Sequence, residues 1–556
     1  MGPEVITSAR ESVQVLVIGA GPVGLTLAMD LARRGIQVLV AELRHHGEPP
    51  PVKCNHISAR SMEAFRQLGI AEELRNAGLP SDYPHDVAYR TSFRGLELSR
   101  IRIPSRAERA DPSIEGPDTW WPTPEPPHRI NQVYMEPILF RHAEAMPNIR
   151  IRCRTRASVL TQDDTGVTAI LEDLDTGVKT EVRSDYLVGC DGGRSAVRKF
   201  IGSTFNGVDV VARVQSTLID APQLLSQLSN RPAWATFAVN PRRCGNVYAI
   251  DGKRRWLIHN YLHSNEPDFE AVDRDWAIRQ ILGVDKDFPF EVVSTEDWFG
   301  RRLVADQFRD GRVFICGDAA HLWVPMAGYG MNAGIADAMN LSWQIAARLQ
   351  GWGGDHVLDG YAAERQPITE QVSQFAMNHS IALQAKREAV PADIEQADVQ
   401  GDAVRERFGK ELYDLNVQQY CCAGLNFGYF YAGSPLIAHD DDAAPSYDMA
   451  SFTPSTVPGC RTPHIWLDGK RSLYDAMGDG FTLLRTDPGK DVTALIDAAA
   501  DRGLPLEVLD LPAKDTQGLY PHALVLSRPD RHVAWRGNHL PADSHLLIDR
   551  VRGAIH

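Results

Sequence analysis

Two sets of residues in this chain have the types and spacing to do chemistry. The first lies at the ends of apolar runs: Gly19-Ala20-Gly21-Pro22-Val23-Gly24 after Val13 to Ile18, Glu42 after Ile36 to Ala41, Asp191 after Tyr186 to Cys190, and Asp318 after Val313 to Cys316. A G-x-G-x-x-G at a strand-to-helix turn lets backbone approach a pyrophosphate, while the helix amino terminus offers free N–H groups and the positive end of a dipole. An acid about 20 residues further on, here Glu42, accepts hydrogen bonds from the ribose hydroxyls of an adenine dinucleotide. The second set is His259 and Tyr261, which alternate on one predicted strand with Arg255 and Leu257 and so point one way.

The elements that must hold the first set can be read from periodicity. Leu25, Ala28, Met29 and Ala32 repeat at i, i+3, i+4, i+7, and Arg33-Arg34-Gly35 supplies a cationic last turn and a stop. Strand, glycine turn, helix, second strand and acid complete a β-α-β nucleotide unit, without deciding between NAD and FAD. Asn332 is expected to cap a helix whose Ala338, Leu341, Ile345 and Leu349 share a face and whose end is marked by Gly351. His321 reads as a core histidine. Arg194 and Arg198 are left out of catalysis, a solvated helix face being an equal reading.

Composition excludes other classes. With 556 residues the chain is too long for one core. A formal net charge of −14 opposes broad phosphate-backbone binding, so nucleic acid is not expected as a partner. The eight cysteines show neither C-x-x-C nor zinc spacing, so no metal is expected and a reducing cytoplasm is the natural compartment. Met1 to Glu11 lacks a signal-like apolar core, and glycines and Pro22 interrupt Val13 to Leu31, so no membrane span is expected. A second nucleotide fingerprint with a redox cysteine pair, which a disulfide reductase would need, is absent.

Three motifs in this order make the sequence resemble the class A, single-component FAD-dependent aromatic hydroxylases, in particular the phenol hydroxylase and 2,4-dichlorophenol 6-monooxygenase branch. Gly19-Ala20-Gly21-Pro22-Val23-Gly24 is similar to the family's FAD glycines, Asp191-Gly192 to its "DG" motif and Gly317-Asp318 to its "GD" motif. Arg60, as a pyrophosphate counter-charge, and Gln132 are similar to family FAD contacts; Gln132 has a buried structural amide as its rival reading. Pro325 matches a family proline beside the flavin. The resemblance implies noncovalent FAD held by Gly19, Gly21, Pro22, Val23, Gly24, Glu42, Leu43, Arg44, Arg60, Gln132, Asp191, Asp318, Pro325, Gly330, Met331 and Asn332. Helix N–H groups after Tyr329 and Gly330 would face the flavin's pyrimidine edge. It further implies reduction by NADPH or NADH, O2 as co-substrate, and hydroxylation of a phenolic or other electron-rich aromatic compound through a flavin C4a-hydroperoxide. His259, Tyr261 and Pro325 are the catalytic candidates, the first two as groups that assist phenol deprotonation, with the outer, wetted face of the sheet as their equal rival reading.

The expected architecture is α/β: a Rossmann-like FAD-binding fold with an inserted mixed-sheet substrate domain and a C-terminal thioredoxin-like domain. The boundaries expected are 1–82, 104–204 and 310–395 for the FAD-binding parts, 83–103 and 205–309 for the substrate domain, and 396–556 for the last domain, whose role reads as packing or dimerisation to a homodimer. Asp251-Gly252 signals a hairpin. Trp120, Trp121, Trp234 and Phe237 are candidates for an aromatic pocket, with core packing, the commoner role of aromatics, as the rival reading. Rival functions are an FAD oxidase or dehydrogenase on the same fold, and a non-enzymic protein that binds an aromatic ligand.

Overall fold

The computed structural model describes residues 7–111, 113–326, 328–516 and 518–555. Residues 1–6, at the head of the Met1–Glu11 segment, and Ala327, inside the 325–332 loop, lie outside the described residues.

The four apolar runs become parallel neighbours in one sheet, whose order is 309–310, 313–315, 179–189, 7–18, 38–41, 149–152. Their register aligns the ends: Ile18 is opposite both Gly189 and Ala41, and Ile315 is opposite Gly189. Residues that are far apart in sequence therefore leave the sheet side by side at its carboxyl edge, where open α/β sheets bind ligands. Backbone bonds continue the alignment one residue further, with Cys190 N–H donating to Ile18 O at 2.8 Å and Cys316 N–H to Gly189 O at 2.9 Å. The hairpin of Thr155–Asp163 and Gly166–Asp173 extends this sheet antiparallel to Lys179–Gly189.

Helix Pro22–Arg33 follows the glycine turn, and helix Tyr329–Gln350 packs beside it. Small residues permit this contact. A Cβ on Gly334 would meet Val23 Cγ2 at 2.6 Å and Gly317 Cα at 2.9 Å. Gly328, at φ +62°, caps the second helix, so Asn332 is not its cap. Asn332 lies one turn inside; its amide donates to Gly328 O and His56 O and accepts from Ser58 N–H, which ties the helix to the 56–58 segment.

The middle domain is a second eight-stranded sheet in the order 321–322, 291–305, 205–220, 255–261, 245–249, 235–238, 87–90, 97–101. The hairpin at Asp251-Gly252 forms as expected, with Gly252 at φ +70°. Helix Val399–Tyr420 brings Val404, Phe408 and Leu412, spaced by four, into the core formed by Val87, Tyr89, Phe93 and Trp256. A boundary at 396 is therefore too early: this helix belongs to the middle domain. The C-terminal sheet has the order 506–510, 481–485, 524–527, 533–537. Phe481, Leu483 and Ile548 share a core with Trp343 and Trp352 of the nucleotide domain, so the two domains are packed as one body.

Candidate active site

The aligned strand ends open into a cavity of about 590 Å³ whose walls come from both sheets. One end is the glycine turn. Gly19, at φ +106°, owes its identity to packing, since a Cβ there would lie 2.3 Å from Cys190 O, and Gly24 is confined by Gly19 O at 2.0 Å. Gly21 differs: a Cβ would meet nothing within 4 Å and would stand in the cavity. Of the three, Gly21 keeps space open for a ligand, beside the free N–H groups of Val23 and Gly24 at the helix amino terminus.

Glu42 is buried under this turn. Its Oε2 accepts from Ala20 N–H at 2.7 Å and its Oε1 from Arg44 N–H at 2.9 Å. Burial opposes its ionisation, but the bonds from Arg44 and Ala20 outweigh that cost and hold the carboxyl below its ordinary range. Leu43 is exposed. Arg44, Gln132 and Glu136 line this end of the cavity, where Glu136 joins Arg44 Nη1 (2.5 Å) to Gln132 Nε2 (2.8 Å).

Asp191 caps the helix Ala196–Phe200 by accepting from Ala196 N–H at 2.7 Å, and its other oxygen is buried with no partner among the described residues. Asp318 lines the cavity with its side chain open to it; the protein surrounding the cavity costs its carboxylate hydration and pushes the carboxyl above the ordinary range, against the pull of His321 and Lys53. Behind it, Asp337 accepts from Gly317 N–H, His321 Nε2 (2.8 Å) and Arg365 Nε (2.8 Å), a buried network that fixes the loop and gives His321 the structural role expected. Arg198 is not a solvated side chain: it donates to Ala319 O at 2.9 Å and Gly193 O at 3.0 Å and so ties the two aspartate loops together. Pro325, Gly328, Gly330 and Met331 complete this wall.

The far wall belongs to the middle sheet. Register places Ser216 opposite both His259 and Glu296, and these three line the cavity with Leu257, Trp298, Phe299 and Trp323. Burial, reinforced by Arg387, lowers His259 to about 3, so its imidazole is neutral across the ordinary pH range. It is therefore not a base poised near neutral pH. Tyr261 lies behind His259, with the Arg387 guanidinium 3.6 Å over its ring and its hydroxyl accepting from Asn246 Nδ2 at 3.3 Å. Its phenol is pushed upward, mainly by burial.

Two further expectations are corrected. Arg60 is not at the glycine turn; its guanidinium reaches Asp530 O and His532, in a separate cavity against the C-terminal domain, because its helix Ala59–Gln67 turns that face away. Trp234 and Phe237 are core residues and Trp120 is exposed, so the cavity's aromatics are instead Trp298, Phe299 and Trp323. Sequence reading also missed Lys53, which lines the cavity and pairs with Glu296 across it at 3.0 Å. Its signal was faint: a lone lysine in a proline-rich loop.

Known proteins match this arrangement. Residues 12–376 match the family model for the FAD binding domain, and 455–553 that for the aromatic-ring hydroxylase C-terminal region. The chain belongs to the FAD-dependent aromatic-ring hydroxylases, and it is an FAD-dependent monooxygenase of aromatic substrates. Among its relatives, tetracenomycin B2 monooxygenase-dioxygenase of Streptomyces olivaceus is 32% identical over 98% of this chain and 99% of that one. Aklavinone 12-hydroxylase RdmE of Streptomyces purpurascens is 31% identical over 97% and 98%. Of the solved structures, the rebeccamycin biosynthetic enzyme RebC with reduced flavin has a TM-score of 0.88 at 34% identity, covering 99% of this chain and 100% of that one. The monooxygenase PieE with FAD and substrate has 0.83 at 28%, with the same coverage. Among the described residues no helix is long and apolar enough to cross a membrane.

Proposed function

We propose that the chain hydroxylates a phenolic or polycyclic electron-rich aromatic compound, using O2 and an NAD(P)H reductant, with FAD held noncovalently in the cavity. One observation carries this reading: a single cavity runs from Gly21 and Arg44, past Asp318 and Gly330, to His259 and Trp298. A dinucleotide fits the first part. Gly21 leaves space for pyrophosphate, the unpartnered oxygen of Asp191 and the carboxyl of Asp318 can accept from its hydroxyls, and the N–H groups at Gly330 and Met331 offset negative charge on its ring. FAD, when bound, supplies the activation of O2. The chain's own work is to bind, orient and exclude water.

The ring of the substrate then lies against Leu257, Trp298 and Phe299, with Ser216 and neutral His259 as hydrogen-bonding groups. His259 orients a phenolic hydroxyl and does not retain its proton, because Arg387 and burial disfavour a charged imidazole. Polycyclic substrates are favoured because the relatives are named for tetracenomycin and aklavinone. A panel of phenols, naphthols and hydroxyanthraquinones, with NAD(P)H consumption and product mass measured together, tests the reading. A mass gain of one oxygen coupled to NAD(P)H oxidation is expected. Oxidation of the aromatic without NAD(P)H would favour an oxidase or dehydrogenase instead.

A further inference from the structure

We propose that the crevice between helix Ala59–Gln67 and the C-terminal domain is a second small-molecule site, one for an aromatic carboxylate of one or two fused rings. The crevice encloses about 310 Å³, separate from the cavity of the glycine turn. Tyr429, Tyr431, Tyr474, Met339 and Met477 give it flat aromatic and thioether walls, the surfaces on which a planar ring packs.

Arginines and acids line it in equal number, but they do not pair one to one. Four acids face it, and each is already held by an arginine: Glu63 by Arg461, Asp475 by Arg66 at 2.7 Å, Asp479 by Arg33, and Asp530 by Arg528 at 2.6 Å. Two guanidiniums remain. Arg60 has as its nearest carboxylate Glu63, 4.0 Å away and committed to Arg461 and Thr123. One of the terminal nitrogens of Arg60 is buried without a partner among the described residues. Arg531 is 9% exposed and donates only to backbone, to Gly478 O at 3.1 Å and Tyr474 O at 3.3 Å. Among the described residues it has no ion-pair partner. His532, which touches Arg60, is neutral because burial lowers it to about 3, so it adds no charge.

Two guanidiniums without a close carboxylate partner, beside aromatic walls, match a planar anion, whose carboxylate takes charge-assisted bonds while its ring stacks. The volume suits one or two rings and is too small for a dinucleotide. Nothing in this inference depends on the reaction proposed above, since its residues are not those of the cavity at the glycine turn. It gives the C-terminal domain, which supplies Tyr474, Met477 and Arg531, a binding function that needs no cysteine pair.

The test uses the FAD-loaded enzyme, 2-naphthoate as the probe and 2-naphthamide as its uncharged isostere, with binding followed by calorimetry. A site is expected that prefers the acid to the amide by roughly tenfold or more. Arg531→Gln and Arg60→Gln should each weaken that site at least tenfold, with FAD content unchanged. Met339→Trp, which fills the crevice without altering charge, should abolish the site, and it decides the matter together with Arg60→Gln if the turn at Arg531 does not tolerate replacement. Equal affinity for acid and amide, unchanged affinity in Arg60→Gln and Met339→Trp, or a soaked crystal with naphthoate only beside His259 would each overturn the proposal.

Discussion

The two ends of the main cavity are built by different means. The glycine-turn end is mostly backbone: strand ends held in register, a helix terminus, and acids such as Glu42 and Asp191 whose oxygens brace neighbouring N–H groups. The middle-sheet end is all side chains, a row of His259, Ser216 and Glu296 across three strands. Backbone constraints admit few residues and so leave motifs. A side-chain wall admits many, and its composition can change with the substrate while the fold stays fixed.

The strongest way to break this contrast is Gly21→Val. Since a side chain there would project into open cavity, the fold should survive while FAD binding weakens by about 1–3 kcal/mol, or roughly five- to a hundred-and-fiftyfold in Kd. Gly24→Val, which drives a side chain into Gly19 O, should instead impair folding itself. Flavin content and melting temperature of the two purified variants separate the outcomes. Normal FAD content in Gly21→Val would remove the turn from the cofactor site.

This asymmetry also accounts for what could be read from sequence. The glycine turn, the two aspartate loops and the helix stop at Gly351 were legible because each needs a particular residue at a particular backbone geometry. Their convergence was not, because it depends on the register of Ile18, Gly189 and Ile315, which lie nearly 300 residues apart in the chain. Arg60 illustrates the limit: the family resemblance marks its segment, but the direction of its side chain depends on how the helix Ala59–Gln67 packs. Ser216 and Glu296 were invisible for the same reason, since only strand pairing makes them neighbours of His259. The boundary at 396 failed because a charged helix surface concealed the spacing of Val404, Phe408 and Leu412.

Asp318 sharpens the contrast from the cofactor side. Asp318→Ala should lower FAD affinity by about 1.5–3 kcal/mol, the range for a hydrogen bond to a charged group, while leaving the middle sheet unaltered. Equilibrium dialysis against FAD gives the number, and undiminished affinity would assign Asp318 a role outside the cofactor site.

His259→Phe tests the opposite wall. FAD content should stay normal while product formed per NAD(P)H consumed falls several-fold, because an orienting bond is lost and not a proton acceptor. The distinguishing measurement is the pH profile of kcat. With His259 lowered to about 3, the wild type and the variant should show no difference in profile shape between pH 5 and 8. A limb near pH 6.5 that disappears in His259→Phe would restore His259 as the catalytic base.

The last effect concerns the stability of the whole fold. Burial lowers His259, His128, His464 and His532 each to about 3, and His56 and His85 well below their ordinary value of 6.5. A histidine with a depressed folded pKa binds fewer protons in the native state than in the unfolded chain. Its contribution is therefore complete above pH 6.5 and is lost progressively as pH falls from there towards 3. The melting temperature should be flat between pH 7 and 8 and should fall increasingly between pH 6.5 and 5, as several histidines gain protons together on unfolding. His128→Gln, at a buried site where the ring meets Leu74 O at 3.1 Å, should lower the plateau and flatten the acid slope by about one proton. An unchanged slope in that variant, or a stability that rises on acidification from pH 7 to 5, would show that these histidines are already protonated in the fold.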